Sequence, residues 1–258
     1  MSTYRTYETS SASSAWFRVF RPRPEARVRL VCFPHAGGAA SAFRTWTELL
    51  PPTVELVAVQ YPGRQDRFHE PALEDMDVLV DRLSFAAAHR LRGPVAFFGH
   101  SLGATVAYEV ARRLAGRQPE VVRLFASARS APSVDRRHDL TFPDDDALLD
   151  YIRALGGTGA GVLEDRELQE LALPTLRSDF RLVAGYRSVA GEQLTCPITA
   201  IAGDADASFT LADAEQWRRH TSGTFSSVEL SGGHFYIEDV PEDLVRVLVG
   251  ELGVAAAV

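Results

Sequence analysis

The sequence predicts an α/β fold: a mainly parallel central sheet with helices on both faces and a helical lid inserted late in the chain. Three observations predict it. Short apolar runs alternate with segments of helical periodicity through the first half of the chain. The pentapeptide Gly99-His100-Ser101-Leu102-Gly103, of the form G-x-S-x-G, joins one apolar run to one helical segment. The alternation breaks between about 131 and 194 and then resumes with two further strand-like runs. A chain of 258 residues, 46% of them hydrophobic, suits one such domain with a sizeable core.

Val28–Phe33 reads as an early strand. The small loop Pro34-His35-Ala36-Gly37-Gly38-Ala39-Ala40 carries it into a helix near 41–50, and a strand follows at 54–60. In the helix expected over 73–91, Met76, Val80, Leu83 and Ala87 recur at three- and four-residue steps. Val95-Ala96-Phe97-Phe98 is the strand before the pentapeptide, and a helix follows from Ala104. A further strand is expected at 121–127.

In the break, helical stretches are expected at 144–155, 165–171 and 175–186, the last two separated at Pro174. Asp144-Asp145-Asp146 reads as a helix start favoured by the helix dipole. The glycine run at 156–161 has neither the Lys-Ser/Thr partner nor the preceding strand of a phosphate cradle, so it reads as a hinge. Strands are expected again at 198–202 and 227–230. The expected organisation is a disordered N-terminus over 1–15, a core of 16–130 and 191–252, a lid over 131–190, and a flexible tail over 253–258.

The pentapeptide carries chemistry. A strand, a tight turn and a helix push the Ser101 hydroxyl out of the sheet, and flanking glycines leave room for the turn. A serine hydroxyl needs a base, and the base needs a carboxylate to fix its tautomer. In the hydrolase fold that uses this elbow, the chain order is serine, acid, histidine. The run 198–202 ends in Gly203-Asp204-Ala205-Asp206, and 227–230 ends in Ser231-Gly232-Gly233-His234-Phe235. Asp204 and Asp206 compete as the acid. Asp206 fits the Gly-x-x-Asp spacing better, and Asp204 reads as a turn residue capping backbone N–H groups.

The seven histidines sort by surroundings. His69, His89, His138 and His220 lie among polar residues and read as solvated. His100 belongs to the elbow, packed beside the sheet, and His35 lines the pocket. His234 is the one after a late strand and downstream of an acid. For an oxyanion, one donor is the N–H of Leu102 and the other that of Ala36, in the early strand-to-helix loop.

Five segments together narrow the family: Phe33-Pro34-His35-Ala36-Gly37-Gly38, Tyr61-Pro62-Gly63-Arg64, Gly99-His100-Ser101-Leu102-Gly103-Ala104, Gly203-Asp204-Ala205-Asp206 and Gly233-His234-Phe235. The chain resembles the type II thioesterases, stand-alone α/β-hydrolases associated with polyketide and non-ribosomal peptide synthases. The resemblance runs from about Val28 to about Val249. It implies hydrolysis of stalled acyl groups from the phosphopantetheine thiol of acyl carrier or peptidyl carrier proteins. It places the nucleophile on Ser101, the base on His234, the acid on Asp206 and the oxyanion donors on Ala36 and Leu102. No metal or diffusible cofactor is implied, the phosphopantetheine arm being part of the substrate. A carboxylesterase or an acyltransferase on the same fold is the alternative that the elbow alone leaves open.

Composition narrows the field further. A net charge of −7 and a pI near 5.5 disfavour a nucleic-acid partner. The basic residues are all arginines. No stretch approaches the roughly 20 apolar residues of a membrane span, and the first 15 residues lack an apolar signal core. A cytoplasmic monomer is expected. Cys32 and Cys196 read as buried free thiols. The lid is rich in arginine: Arg129, Arg136, Arg137, Arg153, Arg166, Arg177, Arg181 and Arg187. Because the implied carriers are acidic, some of these arginines are expected to steer docking.

Overall fold

The structure, a computed structural model, describes residues 15–134, 140–156, 164–189, 191 and 193–254. Seven strands form one sheet: β1 (Phe17–Arg18), β2 (Val28–Phe33), β3 (Val54–Val59), β4 (Val95–His100), β5 (Val121–Ser127), β6 (Ile198–Gly203) and β7 (Phe225–Leu230). Their order is β1-β3-β2-β4-β5-β6-β7. All neighbours are parallel except β1, which pairs antiparallel to β3 at the edge. This short edge strand was not anticipated, since two residues leave no period to read.

The central strands are apolar on both sides because both sides are covered. Along β2, Leu30 and Cys32 point to one face, and Val31 and Phe33 to the other. Helices α1 (Trp46–Leu49) and α8 (Pro241–Leu252) lie on the Leu30 side, where Phe43, Trp46, Leu244 and Leu248 pack. Helices α2 (Met76–Arg90) and α3 (Leu102–Arg113) cover the other side with Leu79, Leu83, Val106 and Val110. Asp75 caps α2 by accepting from the Val78 N–H. That cap starts the helix at Met76, later than the 73 expected. The region near 41–50, expected as one helix, is a 3-10 turn at Ala40–Phe43 followed by α1. Both cysteines are free and buried, and burial pushes their thiols up, that of Cys196 to about 11.

Between β5 and β6 lie α4 (Asp145–Leu155) and α5 (Arg166–Gly185). Asp144 caps α4, accepting from the Ala147 N–H. The sequence splits α5 in two at Pro174, and the structure corrects that: the helix runs straight through. Proline removes one helical N–H, leaving the carbonyl four residues back without its partner. Here both Pro174 and Glu170 are exposed, so water can take that carbonyl. The following half buries Leu176, Phe180, Leu182 and Val183, which holds it helical.

Two shorter helices follow β6 and β7, α6 (Leu211–Ala214) and α7 (Tyr236–Asp239). Residues 1–14 of the expected loose N-terminus and 255–258 of the expected tail lie outside the described residues, as do 157–161 of the glycine run. Gly253 and Val254 are not loose. The Val254 carbonyl accepts from Thr53 Oγ1 at 2.9 Å and its side chain packs on the core. No helix among the described residues is long and apolar enough to cross a membrane.

Candidate active site

The turn from β4 into α3 holds Ser101 at φ +53°, ψ −120°, a conformation that a residue with a side chain rarely adopts. The Ser101 N–H donates to the Ser127 carbonyl on β5 at 2.8 Å, pinning the turn to the neighbouring strand. A Cβ on Gly103 would lie 2.0 Å from the Phe33 carbonyl oxygen. That missing side chain lets the start of α3 sit against the end of β2.

This proximity brings the loop after β2 to the helix N-terminus. Ala36, Ser101, Leu102 and His234 line one cavity of about 350 Å³. The N–H groups of Ala36 and Leu102 have no protein hydrogen-bond partner among the described residues. The first N–H groups of a helix have no intrahelical acceptor and carry its positive dipole end, so the Leu102 N–H is available to an anion.

His234 follows β7. Its Nδ1 lies 2.8 Å from Asp206 Oδ2, in the loop after β6. Asp206 Oδ1 accepts from the Ser208 N–H at 2.8 Å and from Ser208 Oγ at 2.7 Å. The competing Asp204 is turned away: its Oδ1 accepts from the Gly232 N–H at 2.9 Å, as a turn residue does. His234 Nε2 is buried and has no hydrogen-bond partner among the described residues. Ser208 was missed, although an Asp two residues before a Ser, just past a strand, is the signal of such an Asx turn.

Burial works to raise the Asp206 carboxyl, but hydrogen bonds from His234 and Ser208 outweigh it and hold the group below the usual carboxylate range. The stability this contributes is complete above the unfolded value of about 3.9 and is lost as pH falls through the lower folded value. Thermal melts of the wild type and Asp206→Asn should therefore differ by a constant amount down to about pH 4. Below that the gap should narrow, because the wild type alone loses the interaction. A gap that widens in acid would contradict this account.

Two more histidines pack beneath His234. His100 is fully buried, and its Nδ1 lies 2.8 Å from Ser127 Oγ, which in turn meets Tyr236 Oη. Burial drives its pKa well below the ordinary value, so it stays neutral. His35 packs edge-on against Phe235 at 5.0 Å and against His100 at 5.9 Å, and burial lowers its pKa to about 4. It is not among the residues lining the cavity that contains Ser101. His220, expected to be solvated, is instead half-buried beside Trp217 and Tyr108, within 3.1 Å of Tyr108 Oη and 3.0 Å of Ser133 Oγ.

The cavity's outer wall comes from the inserted segment: Leu140, Tyr151 and Leu155, then Phe180 and Val183 of α5. Its arginines are largely engaged. Arg153 pairs with Asp150 at 2.7 Å, Arg181 with Glu74 at 3.0 Å, Arg166 with Glu170 at 3.5 Å, and Arg177 with Asp145. Arg187 folds back on the last carbonyls of α5. Arg136 and Arg137 lie outside the described residues. Among the described residues, four of the eight arginines thus have a carboxylate beside them.

A nucleophile elbow, a carboxylate-held imidazole and two free N–H groups around one cavity can perform acyl transfer. The thioesterase domain family matches residues 28–250. The chain belongs to that family. It is 48% identical over 231 residues to the thioesterase PikA5 of Streptomyces venezuelae, an alignment that covers 88% of this chain and 82% of that protein. The type II thioesterase BorB from the borrelidin biosynthetic cluster superposes with a TM-score of 0.82 at 40% identity, covering 92% of this chain and 98% of BorB. RedJ, the thioesterase of the prodiginine pathway in Streptomyces coelicolor, gives the same TM-score at 38% identity over 90% of this chain and 95% of RedJ. The thioesterase shares with these relatives the α/β-hydrolase architecture of a mostly parallel sheet, and it is a thioester hydrolase. The general esterase reading is not favoured.

Proposed function

We propose that this thioesterase removes stalled or aberrant acyl groups from the phosphopantetheine thiol of acyl or peptidyl carrier proteins in polyketide or non-ribosomal peptide biosynthesis, acting as a cytoplasmic monomer. The observation that carries the catalytic assignment is the state of His234. One ring nitrogen is held by Asp206, and the other is buried without a partner among the described residues, on a side chain that lines the cavity containing Ser101. The substrate class rests on the family resemblance and on the relatives, since BorB is a type II thioesterase from a biosynthetic cluster and RedJ a thioesterase from a biosynthetic pathway.

In the proposed reaction, His234 Nε2 takes the Ser101 hydroxyl proton as Oγ bonds to the thioester carbonyl carbon. The carbonyl electron pair moves onto oxygen, where the N–H groups of Ala36 and Leu102 hold it. Each such donor is worth about 3–4 kcal/mol in related sites. The intermediate collapses, the C–S bond breaks, and sulfur leaves as a thiol with the proton from the imidazolium. A thiol of pKa about 8.5 leaves readily, so this step asks less of the acid than an amide would. Water then attacks the acyl-serine, giving its proton to His234. The second collapse releases the carboxylic acid and returns that proton to Ser101. Asp206 accepts from Nδ1–H throughout, keeping Nε2 basic. The apolar lid residues receive the acyl chain.

The test is a side-by-side rate on a propionyl-loaded carrier protein and on a matched oxygen ester. Release from the carrier should be the faster by at least an order of magnitude in kcat/KM, and should depend on Ser101. A preference for the oxygen ester, with the loaded carrier ignored, would overturn the carrier assignment.

A further inference from the structure

The loop that carries Ala36 is clamped by the lid. Asp179 of α5 is 3% exposed and Arg64 is 6% exposed. Asp179 Oδ2 accepts from the Gly37 N–H at 2.7 Å and from Arg64 Nη1 at 2.7 Å, while Oδ1 accepts from Arg64 Nη2 at 2.8 Å. The same Arg64 Nη1 donates to the Gly38 carbonyl at 3.0 Å. One buried ion pair therefore holds an N–H and a C=O of the two residues that follow Ala36. Gln60, fully buried, extends the clamp: its Oε1 accepts from the Ala40 N–H at 2.8 Å and its Nε2 donates to the Arg64 carbonyl at 3.0 Å.

The helix bears on the loop by packing as well. Gly37 sits at φ +76°, and a Cβ there would lie 2.5 Å from Leu176 Cδ2. One turn before Asp179, Thr175 Oγ1 donates to the Gly63 carbonyl at 3.0 Å. A buried ion pair is weak as a source of stability, since a well-packed apolar pair of similar volume serves as well. An apolar pair could not hold the Gly37 N–H or the Gly38 carbonyl. What the charges add is a fixed direction for this stretch of backbone.

We propose that Asp179 and Arg64 are positioning residues that aim the Ala36 N–H at the oxyanion, so that the seating of α5 sets the geometry of the catalytic loop. This rests on the assignment of Ala36 as an oxyanion donor. The second half of α5 is then a fixed part of the active site, tied to the loop by hydrogen bonds as well as by side-chain packing. A misplacement of the donor by an ångström is enough to cost about two orders of magnitude in rate.

The experiment compares the wild type, Asp179→Asn and the double variant R64M/D179L on an acyl-N-acetylcysteamine thioester. It also measures the affinity of each for two acyl-chain ligands: a trifluoromethyl ketone, which forms an oxyanion on the serine, and an unreactive amide. In both variants kcat should fall about 10–100-fold with KM within about twofold. Trifluoromethyl ketone affinity should fall by the same factor and amide affinity should hold. R64M/D179L buries no unpaired charge, so it decides the matter should Asp179→Asn fail to fold. A folded double variant with wild-type kcat and wild-type ketone affinity overturns the proposal. Equal losses in ketone and amide affinity overturn it too, since they would mean general damage to the pocket. Ser101→Ala separates this failure from that of the function itself: full turnover there sinks the catalytic reading, whereas an inactive Ser101→Ala beside undiminished clamp variants sinks only the clamp.

Discussion

Ser101→Ala is expected to lower kcat for acyl thioesters by on the order of 10⁴–10⁶ while leaving the fold intact. The residual rate would come from the two N–H donors and from substrate binding, which the substitution leaves in place. The fold should survive because the Ser101 hydroxyl makes no hydrogen bond among the described residues, and the turn is held through its backbone N–H to Ser127. Alanine also carries the same backbone strain as serine at this φ, so the cost of the turn is unchanged. Thiol release gives the rate, and a thermal melt within about 2 °C of the wild type checks the fold. Turnover at the wild-type level would remove Ser101 from the chemistry and with it the roles given to His234 and Asp206.

Gly103→Ala is expected to be the most damaging single-methyl substitution in the elbow. Its Cβ would fall 2.0 Å from the Phe33 oxygen and 2.7 Å from the Pro34 oxygen, both backbone atoms that cannot rotate away. Either α3 moves off the sheet or β2 does. Overpacking against backbone of this kind costs about 3 kcal/mol or more. Activity should suffer separately, because lifting the start of α3 displaces the Leu102 N–H and Ser101 together, and a misplacement of that size costs about 10² in rate. Urea unfolding should show a lower midpoint at unchanged slope, and kcat at low temperature, where the variant is folded, should remain depressed. A variant as stable and active as the wild type would mean that the close approach of α3 to β2 is unnecessary.

Legibility of the fold in the sequence depended on how local each cause was. The central strands are runs apolar on both faces, and α2 repeats its buried residues at helical spacing, so both are read directly from order and composition. The edge strand β1 could not be read, because two residues acquire their conformation only by pairing with β3. Pro174 misled for a related reason. Proline disfavours a helix interior by its own chemistry, and only the burial of the following turn against the core and the exposure of Glu170 make the continuous helix tolerable. His220 misled because its polar neighbours in sequence are not its neighbours in space, where it meets Tyr108 and Trp217.

The G-x-S-x-G turn, the chain order of Ser101, Asp206 and His234, and the α/β class are legible in the chain, since each follows from neighbouring residues, from their order, or from a period within one element. Which of Asp204 and Asp206 meets His234 is visible only in three dimensions. Both follow β6, and the choice depends on where the loop after β7 presents His234 and the Gly232 N–H. The three-dimensional structure alone pairs Arg64 with Asp179, 115 residues apart, and so joins α5 to the loop beside Ser101. A charge buried in a fold must find its counter-charge in space, and no local pattern in the chain records where that partner stands.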